Sequence, residues 1–194
     1  MIITGIWETL YMTLVSTLVG YVIGLPMGII LTVSDKDGIK PNAVLYKILD
    51  VIANIVRSVP FIILLVLLIP FTRLVVGKSY GSTATIVPLV IAAAPYIARM
   101  VESSLKEVDA GVIEAARSMG ASNFTIITKV MLVEARTSLL VGATITLGTM
   151  LGYSEMSGAV GGGVRGASEI RDGYSRWQTA IMLVSVILGM MFFE

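Results

Sequence analysis

Long apolar stretches alternate with short polar ones along this chain, and one polar passage, Leu105 to Ala135, is longer than the rest. Residues 9–33 carry no charge over 25 positions, enough to cross a ~30 Å hydrocarbon core as a tilted helix. That stretch is too long for the apolar core of a cleaved signal peptide and lacks a basic segment before it, so it is expected to persist as a span. The same pattern predicts further spans over about 51–76, 79–98, 137–154 and 177–193. Small residues Ser16, Gly20, Gly24 and Gly28 recur every fourth position in the first span, a face that lets another helix approach closely, and packing within one subunit is its expected use. Pro26 is expected to bend that helix without ending it, and Trp7 to anchor it at the interface. Pro88 and Pro95 are expected to break the third span, and the charges, Gly38 and Pro41 of residues 34–47 predict an aqueous loop. These elements make an all-α membrane helix bundle with about five transmembrane helices, a single domain over 1–194.

The polar passage reads as two short amphipathic helices. Asp109 is placed to cap the first, Val108 to pack onto Ile113, and Gly120 to close it as the left-handed residue beyond its end. Val112, Ala116 and Met119 fall on one face of it, Glu114, Arg117 and Ser118 on another. Ser122 then caps a second helix whose Phe124, Ile127 and Met131 keep helical spacing. Past the fourth span, the glycines of residues 153–178 predict irregular backbone.

Composition narrows the chemistry. The chain has 194 residues, 56% of them hydrophobic and 14% charged, with a net charge of +1. A balance this close to neutral gives no reason to expect a nucleic acid partner. With no cysteine and no histidine, disulfides, thiolate nucleophiles and the commonest transition-metal ligands are excluded. Gly77-Lys78-Ser79 copies the tail of a phosphate-binding loop, but Thr72 stands where that motif needs its first glycine, so it reads as a turn. No carboxylate pair converges with a nucleophile, so no enzymatic site is expected.

The run Glu114-Ala115-Ala116, then Gly120, then Val130 and Leu132, resembles the EAA loop of ABC-importer permeases, with Val133 where that pattern usually has proline. Gly5-Ile6-Trp7-Glu8-Thr9-Leu10, Arg57-Ser58-Val59-Pro60-Phe61, Ala94-Pro95-Tyr96 and Gly152-Tyr153-Ser154-Glu155-Met156 look most like the permease subunit of methionine-type ABC importers. The resemblance implies a cytoplasmic coupling-helix loop over 105–135, in which Glu114, Ala115, Ala116, Met119, Gly120 and Ala121 dock against an ATP-hydrolysing subunit. It also implies an outer gate, for which Tyr153, Met156, Ser157 and Gly158 are candidates. Two copies of this chain would form a homodimer framing one pathway for ATP-driven methionine uptake, with two ATP-binding-cassette subunits and an extracytoplasmic methionine-binding protein as partners. ATP and magnesium would sit in the ATPase partner, and no cofactor in this chain.

Membrane lipid and a bacterial inner-membrane location follow from the same resemblance. With the N-terminus outside, nine of the 14 basic residues, Lys36, Lys40, Lys47, Arg57, Arg99, Lys106, Arg117, Lys129 and Arg136, fall on the cytoplasmic side, as the positive-inside rule requires. Arg57 is expected to snorkel toward the headgroups, and Arg99 with Glu102 to form an i,i+3 pair. The ending at Phe192-Phe193-Glu194, without the charged tail the resemblance implies, predicts a truncated chain or a shortened natural variant. A permease for another small amino acid or amine, and an ATP-independent secondary transporter, are the alternatives; spans nearly free of charge count against the latter.

Overall fold

The computed structural model describes residues 2–78 and 80–157, and all of their regular structure is helical. The expected fifth span, 177–193, lies outside the described residues. So do Gly158 and the run Gly163-Val164-Arg165-Gly166.

Helix α1 (Ile2–Ser34) is unbroken through Pro26. A proline inside a membrane helix removes one hydrogen bond without forcing the chain out of helical geometry. The same holds for α5 (Ser82–Lys106), which runs continuously through Pro88 and Pro95, where a broken span was expected, and reaches eight residues beyond Ala98. Its extension carries Arg99, Glu102 and Lys106 on a helix instead of a loop.

The second span departs furthest from expectation. Helix α2 (Ala43–Ser58) starts well before Val51, because the Asn42 side chain accepts the Leu45 N–H at 3.1 Å and caps it. It ends at Val59, held extended (φ −85°, ψ 124°) by the proline that follows, and α3 (Phe61–Leu67) begins beyond Pro60. Pro70 opens α4 (Ile69–Val76), and Gly77 closes it at φ +77°. Residues 51–76 are thus three helical pieces. Among the described residues α1 and α5 are each long and apolar enough to cross a membrane, and up to four spans result if each bent helix pair counts as one.

The described residues gather into two compact units. One comprises residues of Leu18–Val59 and Ile91–Thr146. In it the glycine stripe of α1 lies against α5: a Cβ added at Gly20 would meet Ala93 Cβ at 2.8 Å, and one added at Gly28 would meet the Ala98 carbonyl at 2.6 Å. Packing within one chain, as expected, is what the stripe does. Ala93, Ala94, Ile97, Ala98 and Val101 are accordingly buried, while Leu18 and Val22 on the opposite face of α1 stay exposed, as suits lipid contact.

The other unit comprises the described residues of 2–17, 60–90 and 147–157. Its interior is lined by hydroxyls, with Thr9, Thr13, Ser16, Thr72, Thr85, Ser154 and Ser157 all buried. Thr13 and Ser154 join at 3.3 Å, and Ser16 and Ser157 each turn a hydroxyl back to a carbonyl three residues earlier.

Candidate functional site

The polar passage folds as capping chemistry requires. Asp109 accepts the Gly111 N–H at 2.7 Å and opens α6 (Ala110–Ser118). Gly120 closes it in the left-handed region at φ +79°, with Gly120 N–H on the Arg117 carbonyl at 3.0 Å and Ala121 N–H on that of Ala116 at 3.1 Å. Ser122 accepts the Thr125 N–H at 3.3 Å and caps α7 (Asn123–Thr125).

The second helix then changes character. Residues Ile126–Met131 form a π-helix, followed by α8 (Leu132–Glu134) and, beyond Ala135, by α9 (Arg136–Ser157), bent by 70° from the preceding helical run. The wider turn shifts the register of inward-facing positions. Ile126, Met131 and Ala135 are buried, whereas Phe124, placed by helical spacing with the inward residues, is 75% exposed.

The six expected docking residues separate by exposure. Glu114, Ala115, Met119 and Gly120 are exposed and Ala121 is half-buried. Ala116 is buried at 6% and seats α6 on its own chain. Met119, grouped with Ala116 on one face by sequence spacing, lies past the end of α6 and is 82% exposed. Met119 and Phe124 are two large apolar side chains left in the open on a polar loop.

Of the expected gate residues, Tyr153, Met156 and Ser157 all lie on α9, which continues to Ser157 where irregular backbone was expected. The glycine-dense run begins only at Gly158, and the isolated Gly142, Gly148 and Gly152 do not interrupt α9. Tyr153 stacks on Phe61 with ring centroids 4.7 Å apart and planes within 2°. Met156 is about half exposed and Ser157 fully buried.

A set of charges lies on α5, α2 and the loop between α1 and α2, and sequence reading found only one of its pairs. Arg99 meets Glu102 at 2.7 Å, the expected i,i+3 pair, and also pairs with Asp50 and donates to Asn54 Oδ1 at 3.0 Å. Lys106 meets Glu102 at 2.8 Å and Asp35 at 2.7 Å, and Tyr46 donates its hydroxyl to Glu102 at 3.3 Å. Hydrogen bonding from Lys106 holds the Asp35 carboxyl below its ordinary range against the opposing effect of burial. The Glu102–Lys106 spacing was legible as an i,i+4 pair; Asp35 and Asp50 come from distant sequence and carried no local signal. Arg57 is exposed in the last turn of α2. Among the described residues no group of three or more acidic side chains could hold a metal.

Residues 24–193 match the family described as binding-protein-dependent transport system inner membrane component. The chain is 47% identical to a probable D-methionine transport system permease protein MetI of Vibrio cholerae, over 97% of this chain and 84% of that protein. It is 50% identical to the D-methionine transport system permease protein MetI of Escherichia coli K12, over 81% and 73% of the two chains. A solved chain of the MetNI methionine ABC transporter, in an inward-facing conformation, superposes with a TM-score of 0.96 at 50% identity, covering 98% of this chain and 88% of that one. An amino acid ABC transporter chain at 22% identity and TM-score 0.77 shares the fold. The chain therefore belongs to the binding-protein-dependent transport system inner membrane components, the permease subunits of ABC importers.

Proposed function

We propose that this chain is the single-domain permease subunit of an importer that takes up methionine. Two copies frame one pathway, two ATP-binding-cassette subunits hydrolyse magnesium-bound ATP, and an extracytoplasmic binding protein delivers the amino acid. The observation that carries the reading is the superposition, at half identity and over nearly the whole chain, on the permease of a methionine ABC transporter. The N-terminus faces outward and the loop over 105–135 faces the cytoplasm, which leaves most basic residues inside.

On this reading Glu114, Ala115, Met119, Gly120 and Ala121 form the surface gripped by the ATPase, with Ala116 holding that surface to the body of the permease. The exposed Met119 and Phe124 fill apolar hollows in the partner. Closure of the ATPases on ATP draws the two loops together and opens the pathway outward, a rigid-body switch driven by the different affinity of the two states for nucleotide. Tyr153, Met156, Ser157 and Gly158 belong to the outward closure.

The test is ATP-dependent uptake of labelled methionine by proteoliposomes holding the permease, its ATPase and the binding protein. Native uptake that disappears in Glu114→Lys and Gly120→Trp, with loss of ATPase association, is the expected result. Uptake that persists without the ATPase overturns the importer reading, and tight ATPase association with transport of a different amino acid or amine overturns the substrate.

A further inference from the structure

Arg117 follows Ala116 on α6, about 100° further round the helix, and its guanidinium reaches back 78 residues to donate to the Ile39 carbonyl at 3.1 Å. That carbonyl belongs to the loop between α1 and α2, which is itself firmly tied. Gly38 N–H bonds the Asp35 carbonyl at 3.0 Å, Lys40 N–H that of Val33 at 3.0 Å and Asn42 N–H that of Ser34 at 2.9 Å. A side chain at Gly38 would collide with the Thr32 and Val33 carbonyls, so the loop is drawn tight against the end of α1. Asp35 of the same loop pairs with Lys106 at the last turn of α5, and Lys106 connects through Glu102 to Arg99, which reaches Asp50 on α2. A cavity of about 590 Å³ lies alongside, lined by Asp35, Ile39, Lys106, Ile113 and Arg117 among others.

The consequence is mechanical. Apolar side chains near a cavity slide past one another easily, whereas a chain of charged hydrogen bonds has few alternative arrangements and fixes distance as well as proximity. We propose that Arg117, Asp35 and Lys106 are positioning residues of ATP coupling: they form a polar relay that makes the α1–α2 loop move as one piece with α6 and passes its displacement to α5 and α2. This rests on the reading of α6 as an ATPase-docking helix. Arg117 commits one N–H of its guanidinium to the Ile39 carbonyl.

The test uses the assembled transporter in proteoliposomes, reading methionine uptake and ATP hydrolysis together. Arg117→Met keeps the aliphatic stem and removes the donors; Arg117→Lys restores one donor. The expected result is ATP hydrolysis retained in Arg117→Met with uptake per ATP reduced about tenfold, and recovery in Arg117→Lys. Lys106→Met is expected to behave like Arg117→Met. Unchanged uptake per ATP in both Met variants overturns the relay.

A second measurement holds if Arg117→Met fails to retain the ATPase. The chain has no cysteine, so Lys36→Cys and Ser118→Cys, introduced together in one copy of a complex whose other copy stays cysteine-free, give one spin-labelled pair across the loop and α6. A narrow distance distribution in the native permease, unchanged between nucleotide-free and ATP-trapped complexes and broadened by Arg117→Met in the isolated permease, is expected. Separation of the pair on ATP trapping in the native complex overturns the relay. Absence of ATP-driven uptake in the native complex overturns the transport reading instead, and the spin-label distances remain decisive for the relay.

Discussion

A Cβ built on Gly24 of α1 would sit 2.6 Å from the Ala94 carbonyl oxygen of α5 and 2.8 Å from Ile97 Cβ. No rotamer change relieves a clash with backbone, so the helices must separate if anything larger than hydrogen occupies position 24. Gly24→Ala is expected to destabilise the purified permease by roughly 1–3 kcal/mol, the usual cost of overpacking, and Gly24→Leu to prevent folding. Gly148 is the control, because nothing lies within 4 Å of a Cβ there, and Gly148→Ala in the helix α9 is expected to gain about 0.5–1 kcal/mol. Thermal unfolding in detergent, followed by loss of monodisperse protein, distinguishes the two.

Gly120 presents the opposite case. No neighbour lies within 4 Å of its Cβ position, but its φ of +79° is one that other L residues rarely adopt. Gly120→Ala therefore costs backbone strain alone, about 1–2 kcal/mol, paid within the loop. Gly120→Asn, which tolerates the left-handed region, costs less. Because the loop is exposed, the expected signature is weakened ATPase association with little change in the melting temperature of the permease. Equal losses in Ala and Asn variants would place the effect in side-chain contact with the ATPase and not in the turn.

Hydrophobic runs made the apolar stretches legible, and capping chemistry made α6 legible to within a residue, since Asp109, Gly120 and Ser122 act through local hydrogen bonds that need no knowledge of the rest of the fold. Proline misled in both directions. Pro88 and Pro95 were expected to break α5 and do not, whereas Pro60 does divide its span, because Val59 before it is also driven extended. The π-helix over Ile126–Met131 leaves no mark in a period of 3.6, and so the exposure of Phe124 was missed. The charge set shows the same limit: Glu102 and Lys106 are neighbours on one helix, but the partners Asp35 and Asp50 are brought in by tertiary structure.

The Asp35–Lys106 contact sets an acid limit on the loop. Lys106 holds the Asp35 carboxyl below the ordinary carboxylate range, so the folded state binds its proton more weakly than the unfolded chain does. The contribution is then fully present above the ordinary carboxylate range and is lost as pH falls through the lowered folded value. Side-chain exposures of 43% for Lys106 and 19% for Asp35 keep it small, ~0.5–1 kcal/mol. Melting temperatures of native protein and Asp35→Asn are expected to differ at neutral and weakly acidic pH and to converge in strong acid. A difference that persists in strong acid would mean that Asp35 acts through packing and not charge.

The Phe61–Tyr153 stack ties the start of α3 to the last turns of α9, at the place proposed to close the pathway outward. With planes within 2° and centroids 4.7 Å apart, the pair contributes about 0.5–1.5 kcal/mol beyond its buried area. Tyr153→Phe keeps the ring and is expected to leave both stability and transport near native. Tyr153→Ala removes it, and two separate effects follow. Stability falls by more than the value of the stack, because the ring's buried area is lost with it. If the stack holds the gate closed, methionine also leaks from loaded proteoliposomes without ATP. Phe61→Ala should reproduce both effects, and the double variant should leak no more than either single one, because removing either ring already abolishes the stack. Leak rates that add in the double variant would show that the two rings act independently and that their contact is packing alone.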